Sequence, residues 1–356
     1  MKTFHIDKRE VGGGNPAFII AEVSCNHQQN YEQAEAIVRA AAKAGADAVK
    51  LQTYTPDTMT LDSNKKWFRV DSDTNPDSWK GKTFYDLYKE AYTPWEWHPK
   101  LKKLANELGL IFFSTPFDPS AVKQLEELGV PVFKIAAYES TDVTLLRAVA
   151  KTGKPIIISV GFATLPEVEH SVKTLRDAGA KDIAVLHCTT SYVDKEKRDE
   201  THLRTMLDLE KRFDVVVGFS DNMGGVKVPA LAAAIGAAII EKHLVVKHDP
   251  AVLDDRFSLD PAEFTEMVRL IREQEMIIGK VVYGPRTKDE EHNKRYRRSL
   301  FVSADMKKGE MFSDKNIRSI RPADGLETKY IDEVLGKEAA CDIEMGTPLA
   351  WDLIKK

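Results

Sequence analysis

Short apolar runs recur through the first three quarters of the chain; each closes in polar side chains and is followed by a segment whose apolar positions repeat at helical spacing. The unit is clearest where Gly218-Phe-Ser-Asp-Asn222 is joined by an Ala/Leu-rich segment to Ala237-Ala-Ile-Ile-Glu-Lys-His243, which reads as strand, helix, strand. A parallel strand buried on both faces is nearly all apolar, so ionisable groups at its carboxyl end mark a site rather than a surface. The same reading predicts strands at Ala17–Ala21, Ala46–Tyr54, Leu110–Phe117, Pro131–Glu139, Pro155–Gly161, Asp182–Thr190, Asp214–Ser220 and Ala237–Val246. Helices are predicted over Tyr31–Ala44, Thr93–Leu108, Pro119–Leu128, Asp142–Lys151, Pro166–Ala178, His202–Arg212, Val226–Gly236 and Pro261–Ile278. Eight βα units in succession predict an α/β fold, a (β/α)8 TIM barrel.

The departures from this rhythm set the domain plan, with a barrel over residues 1–279, a linker over 280–298 and a small, mostly β domain over 299–356. Residues 1–15 are read as an N-terminal β-hairpin and Val11-Gly-Gly-Gly-Asn15 as a turn, because a dinucleotide-binding phosphate loop needs a strand before it and a helix after it, and here the strand comes after. Thr55 to Glu90 is a polar and aromatic insertion, too long for an ordinary connection and expected to act as a lid or substrate loop. After Gly279 the sequence is charged, with weak helix signals, up to the short β-like runs Ser299–Ser303 and Ile317–Arg321. Such a small core is marginal alone and should pack against a barrel or a partner subunit.

Charge and cysteine usage narrow the function. A formal net charge of −4 with both signs interspersed gives no footprint for nucleic acid or an anionic membrane. The basic run Lys294-Arg-Tyr-Arg-Arg298 is short and reads as solvated linker. Cys25, Cys188 and Cys341 lack CxxC spacing, which places the chain in a reducing compartment; with no signal peptide and no spanning apolar run, a cytoplasmic location is expected.

Collecting the strand ends gives Glu22, Asn26, His27, Lys50, Gln52, Thr115, Lys134, Glu139, Ser159, Tyr192, Ser220, Asn222, Glu241 and His243. Two lysines among hydroxyls and amides suit an anionic, phosphorylated substrate, and glutamates near histidines suit proton transfer or a divalent metal. Either lysine could instead form a Schiff base, as in barrel aldolases. His187 and Cys188 point to opposite strand faces and are read as structural, Cys25 as a small buried thiol, and His5, His98, His170, His248 and His292 as isolated surface or core residues.

Glu22-Val-Ser-Cys-Asn-His27, Lys50-Leu-Gln52, Phe113-Ser-Thr-Pro-Phe117, Phe133-Lys-Ile135, Gly218-Phe-Ser-Asp221 and Ile240-Glu-Lys-His243 resemble the signature stretches of the sialic acid (nonulosonic acid) synthase family. Those enzymes condense phosphoenolpyruvate with an N-acetylated sugar, and the C-terminal stretch is similar to their antifreeze-like (SAF) domain. Gln52–Asp57, Leu87–His98 and Phe257-Ser-Leu259 look most like the pseudaminic acid synthase branch. The resemblance implies that Lys50, Lys134, Ser159 and Ser220 bind the carboxylate and phosphate of phosphoenolpyruvate, with Gln52 and Thr115 beside them. It implies that Glu22 orients or protonates the reacting centre, that Tyr192 and Asp254 hold the sugar, and that His243 ligates manganese or magnesium. Arg321 matches the arginine that the small domain delivers into the other subunit's barrel, which implies a domain-swapped homodimer. Three departures are visible: Asn222 stands where the family has a second metal-ligand histidine, Ala137 where a serine is usual, and Tyr192–Lys197 with His202 replace the usual acceptor-side residues. Legionaminic or N-acetylneuraminic acid synthesis, a Schiff-base aldolase and a non-catalytic barrel are the competing readings.

Overall fold

The computed structural model describes residues 2–70, 81–190 and 199–356. Internal contacts divide the chain into two units, Met1–Gly279 and Lys280–Lys356.

The first unit opens with a hairpin, β1 (Thr3–Ile6) antiparallel to β2 (Arg9–Gly12). The two strands are joined at Asp7-Lys8, where Asp7 takes the left-handed backbone (φ 53) of a tight turn, and the glycine run forms a second turn as expected, the Asn15 amide donating to the Gly12 carbonyl at 3.0 Å. The glycines serve the exit. Gly12 has φ +94, and a Cβ there would lie 2.3 Å from the Lys2 carbonyl oxygen and 2.9 Å from Val216 Cγ2. The hairpin can therefore lie flush against the barrel wall, burying Phe4, Ile6 and Val11 in the main core.

Eight parallel strands then close a barrel, β3 (Phe18–Glu22), β4 (Ala48–Thr53), β5 (Ile111–Pro116), β6 (Phe133–Ile135), β7 (Ile156–Ser159), β8 (Ile183–Cys188), β9 (Val216–Asp221) and β10 (Ile239–His243), with β10 pairing back onto β3. Each strand lies inside the range its apolar run predicts or extends it by one polar residue at the carboxyl end. The helices between them are stopped where local chemistry stops them. In α1 (Tyr31–Ala44), the Asn30 side chain accepts from the Gln33 amide, and Gly45 closes the helix at φ 87. The insertion carries two short helices, α2 (Pro56–Met59) and α3 (Phe84–Ala91), each opened by a capping box, Thr55 with Thr58 and Thr83 with Asp86. The remaining barrel helices are α4 (His98–Glu107), α5 (Pro119–Leu128), α6 (Val143–Ala150), α7 (Leu165–Asp177), α8 (Arg204–Phe213), α9 (Lys227–Ala234) and α10 (Pro261–Ile278).

In the second unit, β11 (Ser299–Val302) pairs antiparallel with β12 (Ile317–Ile320) over a core of Leu300, Val302, Phe312, Ile317 and Leu349. The segment expected to be bare linker contains a helix, α11 (Lys288–Asn293), whose Thr287 cap accepts from the Glu290 amide and whose first turn holds Asp289, Glu290 and Glu291. Acidic residues at a helix N-terminus complement its dipole, which offsets the missing apolar face. No helix among the described residues is long and apolar enough to cross a membrane.

Candidate active site

The carboxyl ends of the barrel strands enclose a cavity of about 1080 Å³. Single-ligand pockets usually run from about 300 to 1,000 Å³, so this one has room for two small reactants.

Its floor is a buried charge cluster. Parallel register sets Glu22 of β3 beside Lys50 of β4, and Gln52 beside Thr115 of β5. Lys50 Nζ lies 2.5 Å from Glu22 Oε2 and 3.6 Å from Glu241 Oε1, while Lys134 Nζ lies 3.3 Å from that same Glu241 oxygen. Lys50 also donates to Thr115 Oγ1 (3.0 Å), Ser220 Oγ to Glu241 Oε1 (3.2 Å), and Gln52 Nε2 to Glu22 Oε1 (3.1 Å). Both lysines are almost fully buried, at 3% and 2% exposure.

Such a cluster persists only because its charges are paired. Burial pushes the Glu22 carboxyl up, and the nearby Lys50 offsets this only in part. Burial acts on Glu241 in the same direction, but Lys134 and Lys50 outweigh it and hold the group below its usual value. Lys134 is lowered by burial, with Glu241 opposing; Lys50 is also penalised by burial, but Glu22 and Glu241 more than reverse that. At this level Ser159 Oγ and Glu241 Oε2 are buried without a hydrogen-bond partner among the described residues. An unsatisfied buried group costs about 1–3 kcal/mol, so in a cavity these atoms mark where a ligand completes the site.

Higher in the cavity stand His243, Asp254 and Asn222. His243 Nδ1 lies 3.6 Å from Asp254 Oδ2 and has no hydrogen-bond partner among the described residues. Burial pushes the His243 pKa down to about 3, so the imidazole is neutral, as a metal ligand must be. Asp254 accepts from Ser24 Oγ, and the Asn222 side-chain nitrogen lies 3.7 Å from Cys188 Sγ. An imidazole with a free nitrogen, a carboxylate and a carboxamide on one cavity form a donor set that fits a hard or borderline divalent ion.

Of the predicted site residues, the structure brings together on this cavity Glu22, Lys50, Gln52, Thr115, Lys134, Ser159, Ser220, Asn222, His243 and Asp254. Tyr192 lies outside the described residues, and Arg321 is an exposed residue of the second unit, directly after β12. Asn26 and His27, also at a strand end, turn out to be structural. Asn26 Nδ2 donates to the Leu244 carbonyl and Ser258 Oγ, both at 2.9 Å, while His27 Nε2 pairs with Thr93 Oγ1 at 2.9 Å. His248 does not stand alone: its ring bonds Asp255 (2.9 Å) and Glu263 (3.2 Å), with Asp260 close by. Asp260 and Glu263 already form the capping box of α10, which accounts for their clustering. His187 Nε2 donates to the Thr201 carbonyl (2.7 Å), while the Cys188 and Cys25 thiols are pushed up by burial, away from nucleophilic reactivity. Two carboxyls collected from the strand ends without individual roles, Glu241 and Glu139, prove to be part of the cavity. Glu241 lies on β10 itself as its one acidic residue, whereas Glu139, gathered as the end of a strand predicted to reach it, sits in a turn after β6 ends at Ile135.

Residues 37–283 match the NeuB family and residues 297–355 the SAF domain. The chain is 38% identical over 348 residues to the pseudaminic acid synthase of Campylobacter jejuni, covering 97% of each chain. It is 33% identical over 350 residues to the N,N'-diacetyllegionaminic acid synthase of Legionella pneumophila, covering 97% of this chain and 96% of that one. Among solved structures, the N-acetylneuraminic acid synthetase of Leptospira borgpetersenii superposes with a TM-score of 0.71 at 28% identity, over 82% of this chain and 95% of the other. An eight-stranded parallel barrel with this lysine and glutamate cluster, followed by a SAF domain, belongs to the NeuB family, and so does this chain.

Proposed function

We propose that this chain condenses phosphoenolpyruvate with an open-chain, N-acetylated 6-deoxyhexose to form a nonulosonic acid, as a pseudaminic acid synthase does, releasing phosphate by C–O cleavage. The observation that carries this reading is the pair of buried lysines, Lys50 and Lys134, held on the cavity floor by Glu22 and Glu241 beside the unpartnered Ser159 hydroxyl. Two ammonium groups with hydroxyls from Thr115, Ser159 and Ser220 receive a phosphate and a carboxylate. Gln52 steadies Glu22, which orients or protonates the aldehyde end of the acceptor as C3 of phosphoenolpyruvate attacks it. Tyr192 and Asp254 hold the sugar.

Charge balance supports two further participants. The cluster of two lysines and two glutamates is formally neutral, whereas phosphoenolpyruvate brings a carboxylate and a phosphate of roughly −1.5 to −2. Positive charge must come from elsewhere. His243 and Asn222, with Asp254 near them, would hold a divalent ion, magnesium or manganese. Such an ion supplies Lewis-acid polarisation of the acceptor carbonyl. The second source is Arg321, which we assign to the barrel of a partner subunit in a domain-swapped homodimer. The cytoplasm, where Cys25, Cys188 and Cys341 stay free thiols, is the matching location.

The acceptor side favours a 6-deoxy sugar. The insertion contributes Met59, Val70, Phe84 and Leu87 to the cavity, an apolar wall suited to a methyl group rather than a hydroxyl. Phosphate release from phosphoenolpyruvate, with 6-deoxy-2,4-diacetamido-altrose, 2,4-diacetamido-6-deoxymannose and N-acetylmannosamine as acceptors, tests the reading. Release with the altrose sugar is expected, and preference for the mannose analogue would make it a legionaminic acid synthase. Activity that survives chelation would remove the ion from the mechanism, and no release with any acceptor would refute the condensation.

A further inference from the structure

Glu139 is a carboxyl in the cavity to which none of the roles above has been given. It sits in the turn after β6, its own amide donating to the Ala136 carbonyl at 3.2 Å. The side chain lines the cavity alongside Lys134 and Ser159, and its Oε2 is buried with no hydrogen-bond partner among the described residues. The charged and titratable groups that act on it are Lys134 of β6, Asp142 at the start of α6, and Tyr88 on α3. Lys134 is already paired with Glu241 at 3.3 Å, and Asp142 caps α6 through the Thr144 and Leu145 amides, so neither neutralises Glu139. Glu22 and Glu241, by contrast, are held in ion pairs. Burial pushes the Glu139 pKa up to about 7, so at neutral pH both its protonated and ionised forms are populated.

We infer that Glu139 is a further catalytic residue, the group that takes a proton from the water adding at C2 of phosphoenolpyruvate and returns it to the departing phosphate. The inference rests on the condensation proposed above. Once C3 has bonded to the aldehyde carbon, C2 is electron-poor, and the new alkoxide on the acceptor takes up a proton. The oxygen of water bonds to C2 and one water proton passes to the Glu139 carboxylate. The bond between C2 and the bridging oxygen then breaks, its electron pair leaves with that oxygen, and Glu139 returns the proton to it, giving hydrogen phosphate. The second water proton is released as the C2 hydroxyl becomes the ketone, and it replaces the proton taken up by the alkoxide. An unpartnered carboxyl poised between its two forms suits a group that accepts and donates in successive steps.

The test compares wild type, Glu139→Gln and Glu139→Asp for steady-state phosphate release on both sides of pH 7, with phosphoenolpyruvate affinity measured separately by calorimetry. Glu139→Gln is expected to lose about 100-fold or more in kcat. Its phosphoenolpyruvate Kd should stay within about twofold, since the loss is confined to the reacting state. The wild-type kcat profile should bend near 7, the bend should vanish in Glu139→Gln, and Glu139→Asp should recover part of both rate and bend. A kcat within about threefold of wild type, or a loss confined to KM or Kd, overturns the inference. Wild-type activity with an unaffected Glu139→Gln refutes this inference alone, whereas an inactive wild type refutes the condensation and this inference together.

Discussion

Burial has opposite outcomes for the carboxyls of one cavity, and the partner decides which. Glu241, between two lysines, is held below its usual value, while Glu139, unpaired, is pushed up to about 7 from an ordinary 4.5. The consequence for stability has a definite sign. Between 4.5 and about 7 the folded protein binds more protons at Glu139 than the unfolded chain does, so stability falls as pH rises through that window. Glu139→Gln removes this loss. On the alkaline side of 7 it should be more stable than wild type by up to on the order of 3 kcal/mol, and below 4.5 the two should match; urea unfolding at both pH values reads the difference, and equal stability throughout would contradict it. For Glu241 the direction reverses. Glu241→Gln strands Lys134 and weakens Lys50, and truncating one partner of a buried pair typically destabilises by about 3–5 kcal/mol. A clear drop in the urea midpoint is expected.

Individual site residues were legible in the sequence wherever they lay on a strand, because a period of two fixes the face: Lys50 and Gln52 share one side of β4, and both reach the cavity. Past the end of a strand that rule lapses. Asn26 and His27 have the same side chains as Asn222 and His243 of the cavity but bond to Leu244, Ser258 and Thr93 instead. Glu139 enters the cavity by way of a turn that no alternation predicts.

At the scale of elements, the hairpin and the insertion show how context overrides composition. Three consecutive glycines look like a turn and do form one, but the composition does not show that Gly12 is also required where β2 presses on Lys2 and on Val216 of β9. Gly12→Ala combines an overpacked contact with a strained positive φ, which predicts destabilisation of about 1–3 kcal/mol without loss of the barrel's circular dichroism. The insertion was recognisable by its length, but the capping boxes at Thr55 and Thr83 are what turn it into α2 and α3, and α3 is what carries Phe84, Leu87 and Tyr88 to the cavity. Leu87→Ala enlarges the apolar wall, so the acceptor KM should rise while the phosphoenolpyruvate KM stays put; equal effects on both would argue that α3 shapes the whole cavity. The helix α11 was missed for a related reason, since a short polar helix held by a Thr287 cap and acidic first turn has no apolar periodicity to reveal it.

At the scale of the whole molecule, the proposed domain swap makes a claim about where one site's parts come from. Lys50→Ala and Arg321→Ala should each be inactive, because each removes cationic charge from every site. Mixed and allowed to exchange subunits, they should regain activity. Random exchange makes half the dimers mixed, each with one intact site of two, so about a quarter of wild-type activity is expected from an isologous dimer. No recovery after verified exchange would place Arg321 in the barrel of its own chain or outside the site altogether.

The sequence by itself determined the barrel and most of its floor, because both rest on local rules: apolar runs bounded by caps make the eight strands and helices, and closure places every strand end on one rim. It also carried the family signature in stretches contiguous along the chain. The tertiary structure alone decided which charges meet across strands, as Glu241 meets both Lys50 and Lys134, and which atoms stay unpartnered, as at Ser159, Glu139 and His243. Those outcomes depend on distances between residues far apart in the chain and on how completely water is excluded from them, and neither quantity is written in a local pattern.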